Sequence, residues 1–297
     1  MRQVAVVTTG FFDGVHLGHR HVLETLVSSA RERGEEALVV TFWPHPRAVL
    51  QQDARDFRLL TSLEEKKALL LACGVDRVEV IPFTRDFAAL PAAQYLDLLR
   101  EKYGATLVVM GYDNRIGSDH KTAAELPGVV VVDEMGLPGS HVPVISSEVE
   151  KSVSLSSTQI RKALEEGDVT GAAAMLGRSY GLTGVVVAGN RLGRTIGFPT
   201  ANMQLYEPLK LVPANGVYVV EVDVLGQKYR GMTNIGTRPT VGGTTRTIET
   251  HILDFDQDIY GLPLDIRFLR RIRSEIRFPS LDALRAQLER DAVACRG

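Results

Sequence analysis

Cysteine is almost missing from this chain: only Cys73 and Cys295 occur in 297 residues. They lie far apart and form no CxxC or Cys/His pattern, which excludes a disulfide framework and a cysteine zinc site and points to a reducing compartment, the cytoplasm. There is one tryptophan, and aromatic residues make up only 6%. No long apolar run occurs. The opening MRQVAVVTTGFFDG is broken by Gly and Asp too soon for a signal peptide or a membrane helix, so no membrane partner is expected. Neither sign of charge dominates, with a formal net charge of -2, which argues against a broad nucleic-acid-binding face and leaves small molecules as the expected partners. No GxxxxGK[ST] string is present, so any nucleotide phosphate is held by something other than a Walker loop.

What is present is enough apolar residue, 44%, for packed cores, in a length that suggests two domains. The first half alternates two periods. Apolar, β-branched runs at 3–9, 36–42, 77–82, 105–111 and 129–133 alternate with helical patterns at 18–33, 62–73 and 91–102, and a loop is expected after 133. That order predicts an α/β domain with a parallel sheet, helices on both faces and ligands at the carboxyl ends of the strands. Residues 156–177 read as two short helices joined at Gly167-Asp168, with Ser156 or Ser157 as N-cap. After Gly177 the texture changes to short β runs at 181–188, 216–225, 228–234, 246–253 and 264–273, as expected of a small antiparallel barrel, closed by a helix at 280–292 with Ser280 as N-cap. The domain boundary is placed at about 177. The arginine-rich run 267–277 reads as a solvated strand face protecting a sheet edge.

Two segments carry chemistry. After the first strand comes Gly10-Phe11-Phe12-Asp13-Gly14-Val15-His16-Leu17-Gly18-His19. His16 and His19 are three apart at a helix start, so both rings can face one spot. Free N–H groups there favour a phosphate, and Gly18 allows close approach. In the second half, residues 184–202 read GVVVAGNRLGRTIGFPTAN. Gly193, Gly197 and the Pro199 turn suggest a loop that closes on phosphates. The Thr200 hydroxyl and Asn202 amide oxygen are hard ligands suited to Mg²⁺ shared with ATP.

The first string resembles the nucleotidylyltransferase superfamily, and more narrowly the FMN adenylyltransferase module of bacterial bifunctional riboflavin kinase/FAD synthetases. Thr41-Phe42-Trp43-Pro44-His45-Pro46, Gly111-Tyr112-Asp113-Asn114-Arg115-Ile116-Gly117 and Ser156-Ser157-Thr158-Gln159-Ile160-Arg161 match further segments of that family in order. The second string resembles riboflavin kinase, as do Pro213–Tyr218, Asn234–Thr240, Glu249-Thr250-His251-Ile252-Leu253 and Asp258–Gly261.

The resemblance implies residues 1–177 as an FMN adenylyltransferase domain and 178–297 as a riboflavin kinase domain. It implies Glu249 as base for phosphorylation of riboflavin, and His16 and His19 as stabilisers of adenylyl transfer. It places ATP of the first domain on Gly10, Phe11, Asp13, Gly18, Asp113, Ser156, Ser157, Thr158 and Arg161, and flavin or phosphate on His45, Pro46 and Asn114. ATP of the second domain falls on Gly189, Gly193, Arg194, Gly197, Pro199 and Asn234, with the metal on Thr200 and Asn202. The implied partners are riboflavin, FMN, FAD, ATP and ADP, with self-association left open.

One departure stands out: Asn114 and Ile116 occupy positions where the family carries phenylalanine. Adenylylation could be slower, differently selective or lost, the last giving a kinase only. A non-catalytic flavin-binding protein and a nucleotidylyltransferase for another acceptor are the remaining alternatives.

Overall fold

The computed structural model describes residues 4–50, 57–133, 155–189, 192–240 and 243–296. Residue 3 of the expected first strand and the loop expected after 133 lie outside the described residues. The chain divides into two compact units, Met1–Ser157 and Thr158–Gly297.

Unit 1 runs β1 (Ala5–Thr9), α1 (Leu17–Arg33), β2 (Glu36–Trp43), α2 (Pro46–Leu50), α3 (Leu63–Ala72), β3 (Arg77–Pro82), α4 (Arg85–Ala88), α5 (Ala92–Tyr103), β4 (Ala105–Gly111), a hairpin of β5 (Arg115–Ile116) and β6 (Lys121–Thr122), and β7 (Val129–Val132). The sheet order is β3-β2-β1-β4-β7, and every pairing in it is parallel. Successive strand residues face opposite sides. Ala5 and Val7 of β1 therefore join Tyr95, Leu96 and Leu99 of α5 in one core, while Val6 joins Leu23, Leu26 and Ala30 of α1 in the other. Burial on both faces is why the central strands β1 and β2 read as nearly unbroken apolar runs. The chain leaves β1 toward β2 on one side, and β4 lies on the other. The carboxyl end of β1 thus sits at the switch point where such sheets open a crevice.

Unit 2 continues from α6 (Ser157–Glu166) through α7 (Val169–Leu176), β8 (Gly181–Val187), α8 (Leu192–Thr195), β9 (Ala201–Leu205), β10 (Gly216–Val224), β11 (Gln227–Thr240), β12 (Gly243–Ile252), β13 (Pro263–Arg273) and α9 (Leu281–Arg296). The Asp168 carboxylate accepts from Gly171 N at 2.8 Å and caps α7. α7 packs on β13, so the helical pair is described with the barrel although the change of texture falls only at 177. The strands close as β10-β11-β12-β9-β8-β13. β9 was not among the expected strands: Ala-Asn-Met-Gln-Leu has no β-branched residue and follows directly on the Pro199 turn. No described helix is long and apolar enough to cross a membrane.

Arg267, Arg270 and Arg277 are exposed, as a solvated face requires, but the arginine run does not guard a sheet edge. Closure of the barrel leaves β13 paired on both sides, with β10 and β8. Arg273 instead binds the Asp291 carboxylate of α9 at 2.7 Å, with side chains 15% and 1% exposed, and Gln287 adds a bond at 2.8 Å. Arg271 donates to Asn215 O. These cations tether α9 and the loop before β10 to the barrel wall. Removing one partner of such a pair leaves a buried charge unbalanced. Asp291→Ala is therefore expected to lower stability by about 3–5 kcal/mol, read as a shifted midpoint in urea unfolding followed by a barrel-specific signal. A shift no larger than that of an exposed substitution would mean the pair contributes little.

Candidate functional sites

The first site is built on a strained loop. Phe12, Gly14 and Val15 adopt φ of 53°, 84° and 41°. A β-branched residue in that region costs about 1–3 kcal/mol and persists only where its surroundings enforce it. Asp13 enforces it here. Its carboxylate, 3% exposed, accepts from Leu60 N, Thr61 N and Thr61 Oγ at 3.0–3.1 Å, and Thr61 Oγ accepts from Gly14 N at 3.1 Å. Asp13 was expected on ATP. It lines neither cavity of this unit, because its oxygens are committed to anchoring the loop.

The loop delivers His16 to the N-cap of α1, where ring Nδ1 accepts from His19 N at 3.3 Å. In the neutral ring that places the proton on Nε2, a donor. His19 stacks on His16 with centroids 3.6 Å apart and planes at 16°. Burial, then the neighbouring His16 and Lys66, hold the His19 imidazole well below its ordinary pKa, and its Nδ1 is buried with no hydrogen-bond partner among the described residues. A neutral ring with an unpartnered nitrogen suits an incoming ligand better than a solvated ion would.

Both rings line a cavity of about 230 Å³ with Phe12, Gly18, Asp113, Asn114, Ser156 and Ser157. Ser157 Oγ donates to Asp13 O at 2.9 Å, fixing that wall to the loop. A second cavity of about 510 Å³ lies beside it, walled by Gly10, Phe11, Phe42, Pro46, Phe83, Phe87, Tyr95, Asn114 and Ile116 among others. Gly10 and Phe11, expected on ATP, thus share a cavity with Pro46, which was expected on flavin. Asn114 lines both cavities. The aromatic faces that Asn114 and Ile116 do not offer come here from Phe42, Phe83, Phe87 and Tyr95. His45 lines neither cavity. Its ring packs on Phe11 at 3.9 Å and on Phe57 at 4.2 Å, and its Nδ1 accepts from Arg47 N. Thr158 and Arg161 belong to unit 2, on α6.

The second site lies on the outer wall of the barrel. Alternation along β12 turns Thr250 inward, where its hydroxyl meets that of Thr233 at 2.8 Å, and turns Thr247, Glu249 and His251 outward. Those three, with Gly193, Thr200, Asn234 and α9 residues Leu284 and Leu288, line a cavity of about 300 Å³. Glu249 stands opposite Asn234 of β11 and Asn202 of β9 in register. A further cavity of about 300 Å³ is walled by Arg194, Pro199, Thr200, Asp256, Asp258 and Tyr260. Thr200 lines both.

Gly193, Gly189, Gly197 and Asn202 play different parts. At Gly193 the Phe198 carbonyl comes within 2.1 Å of where a Cβ would stand, so only glycine lets the turn close. Gly189 leaves the same kind of space for the Asn202 amide, 2.2 Å from its missing Cβ. Gly197 turns the chain at φ 86°. Asn202, expected as a metal ligand, lines neither cavity, since its side chain packs on Gly189.

His251 was given no role from the sequence beyond sitting two residues after Glu249. Its Nδ1–H donates to Pro199 O at 2.8 Å, tying β12 to the turn that carries Thr200. Burial is the main reason its pKa falls below the ordinary value, which keeps the ring neutral.

Comparison with known proteins agrees with both halves. A family model described as FAD synthetase matches residues 1–158, and one described as riboflavin kinase matches residues 176–297. The bifunctional riboflavin kinase/FMN adenylyltransferase of Escherichia coli (strain K12) is 40% identical over 294 residues, covering 98% of this chain and 91% of that protein. The protein of that name from Bacillus subtilis is 38% identical over 291 residues, covering 97% and 90%. A crystal structure from Streptococcus pneumoniae, described as a macrolide-efflux protein, matches with TM-score 0.90 and 34% identity over 100% of this chain and 95% of that one. With two family models laid end to end and relatives of this identity along nearly its whole length, this chain belongs to the bifunctional riboflavin kinase/FMN adenylyltransferase family.

Proposed function

We propose that the two reactions of this bifunctional riboflavin kinase/FMN adenylyltransferase are divided between its two units, each using a pair of cavities that share one polar side chain. In the barrel, riboflavin occupies the cavity beside Glu249 and ATP the one beside Arg194 and Pro199. The Glu249 carboxylate accepts the proton of the terminal ribityl hydroxyl. The hydroxyl oxygen bonds to the γ-phosphorus, the bond to the bridging oxygen breaks, and FMN and ADP result. Thr200 stands on both walls, where the phosphoryl group crosses, and His251 holds its turn in place.

The Thr200 hydroxyl is a hard oxygen donor, while Glu249 serves as base, and the described residues hold no group of three His, Cys, Asp or Glu placed to hold a metal ion. Such a set fits Mg²⁺ held jointly with ATP phosphates rather than in a protein cage. Bound there, Mg²⁺ supplies neutralisation of phosphate charge. Asn202 would join only by leaving its place on Gly189.

In unit 1, ATP occupies the histidine cavity and the FMN ring the aromatic one, with Asn114 between them. An FMN phosphate oxygen attacks the α-phosphorus, the bond to pyrophosphate breaks, and FAD leaves. His16, as an Nε2–H donor, and His19 stabilise charge on the crowded phosphorus.

The observation that carries this reading is the pairing of cavities at Asn114 and at Thr200. The test is to incubate the protein with ATP and Mg²⁺, starting separately from riboflavin and from FMN, and to separate the flavins by chromatography. FMN then FAD is expected from riboflavin, and FAD from FMN. FMN without FAD would leave a kinase only; neither product would overturn the assignment.

A further inference from the structure

Lys66 belongs to none of the motifs above, yet it is among the largest fully buried side chains, 1% exposed on α3. Its Nζ donates to Phe11 O at 3.0 Å and to Phe42 O at 3.4 Å. The same ammonium lies 3.8 Å from the centroid of the Phe11 ring and 5.8 Å from that of Trp43. Among the described residues no carboxylate comes within ion-pair distance of it. Burying a cation on carbonyls and ring faces alone is costly, and such groups gather at functional sites. What this one holds is specific. Phe11 follows β1, Phe42 lies near the end of β2, and both line the aromatic cavity; Lys66 reaches them from a third element.

We infer that Lys66 is a positioning residue for adenylyl transfer: it locks Phe11 and Phe42 together as the surface on which the flat ring of the flavin nucleotide rests, and keeps a positive charge behind that surface. This rests on the reading of the aromatic cavity as the FMN pocket.

The titratable groups around it are Asp13 in the loop, which favours the charged amine, and His19 on α1, whose imidazole the Lys66 charge depresses. His45 meets the same Phe11 ring from beyond β2. Burial brings the Lys66 amine down to about 8. Loss of that proton removes the charge and the attraction to the ring while leaving an amine of the same shape.

The experiment measures FMN-to-FAD conversion against pH in the wild type, Lys66→Arg and Lys66→Met. In the wild type, kcat/KM for FMN is expected to fall on an alkaline limb with an apparent pKa near 8. Lys66→Arg, whose guanidinium does not titrate, is expected to lose that limb. Lys66→Met is expected to raise KM for FMN about tenfold, with little change in kcat and none in riboflavin phosphorylation. An unchanged limb in Lys66→Arg, or an unchanged KM for FMN in folded Lys66→Met, overturns the inference. If Lys66→Met does not fold, the Arg profile decides alone. A wild type that makes no FAD from FMN would instead remove the reading of the pocket.

Discussion

Glu249→Gln is expected to cut riboflavin phosphorylation by about 10²–10⁴-fold in kcat, the usual contribution of a positioned general base. Conversion of supplied FMN to FAD should be untouched. The amide keeps the shape of the carboxylate and its place between Asn234 and Asn202 in the barrel register, but cannot take a proton. The effect should therefore appear in kcat rather than in KM for riboflavin. Glu249→Ala is expected to lose the same activity and to loosen the cavity as well. Coupled assays for ADP from riboflavin and for pyrophosphate from FMN read the two reactions separately. Loss of both in a folded variant would mean that the reactions share a centre.

The opposite result is expected at the paired imidazoles, and here the structure dictates the choice of variant. His16 caps α1 as well as lining the cavity, so His16→Ala would mix a cap loss of about 1 kcal/mol with any chemical effect. His16→Asn separates them, since asparagine is a good N-cap but presents no imidazole N–H to the phosphates. It should melt like the wild type while adenylyl transfer falls about 10²–10³-fold, as when an aimed donor to a developing charge is removed. Riboflavin phosphorylation should not change. Retained FAD formation in His16→Asn would return His16 to a purely structural role. His19→Gln, which leaves the cap alone, should lose adenylylation similarly.

The parallel sheet was legible because its central strands are buried on both faces and helical stretches alternate with the strands. The barrel was legible from its turns, all but β9, whose five residues look like the tail of a loop until Glu249 and Thr250 pair with them. Residues singled out from strings fall together on cavity walls: His16 and His19 on one, Thr200 and Glu249 on another. The sequence could not reveal how duties divide inside a string. Asp13 sits in the middle of the histidine motif, and only its bonds to Leu60 and Thr61, nearly fifty positions away, show it working on the backbone. Asn114 and Ile116 raised the expectation of a stripped pocket because replaced aromatic residues are visible in a string. The Phe42, Phe83, Phe87 and Tyr95 that wall the same cavity come from β2, the loop after β3, α4 and α5. Lys66 and His251 carried no signal, since a lysine in a helix and a histidine in a strand are ordinary until burial and partners are known.

The place of Thr200 on two walls has a consequence for how this enzyme can vary. If the two cavities hold alcohol and phosphate donor as proposed, recognition of both meets at a single codon. A replacement that suited a different phosphate donor would at the same time reshape the room available to the alcohol, and the reverse holds equally. Drift at this position must satisfy both occupants at once, whereas the rest of each chamber is free to diverge alone.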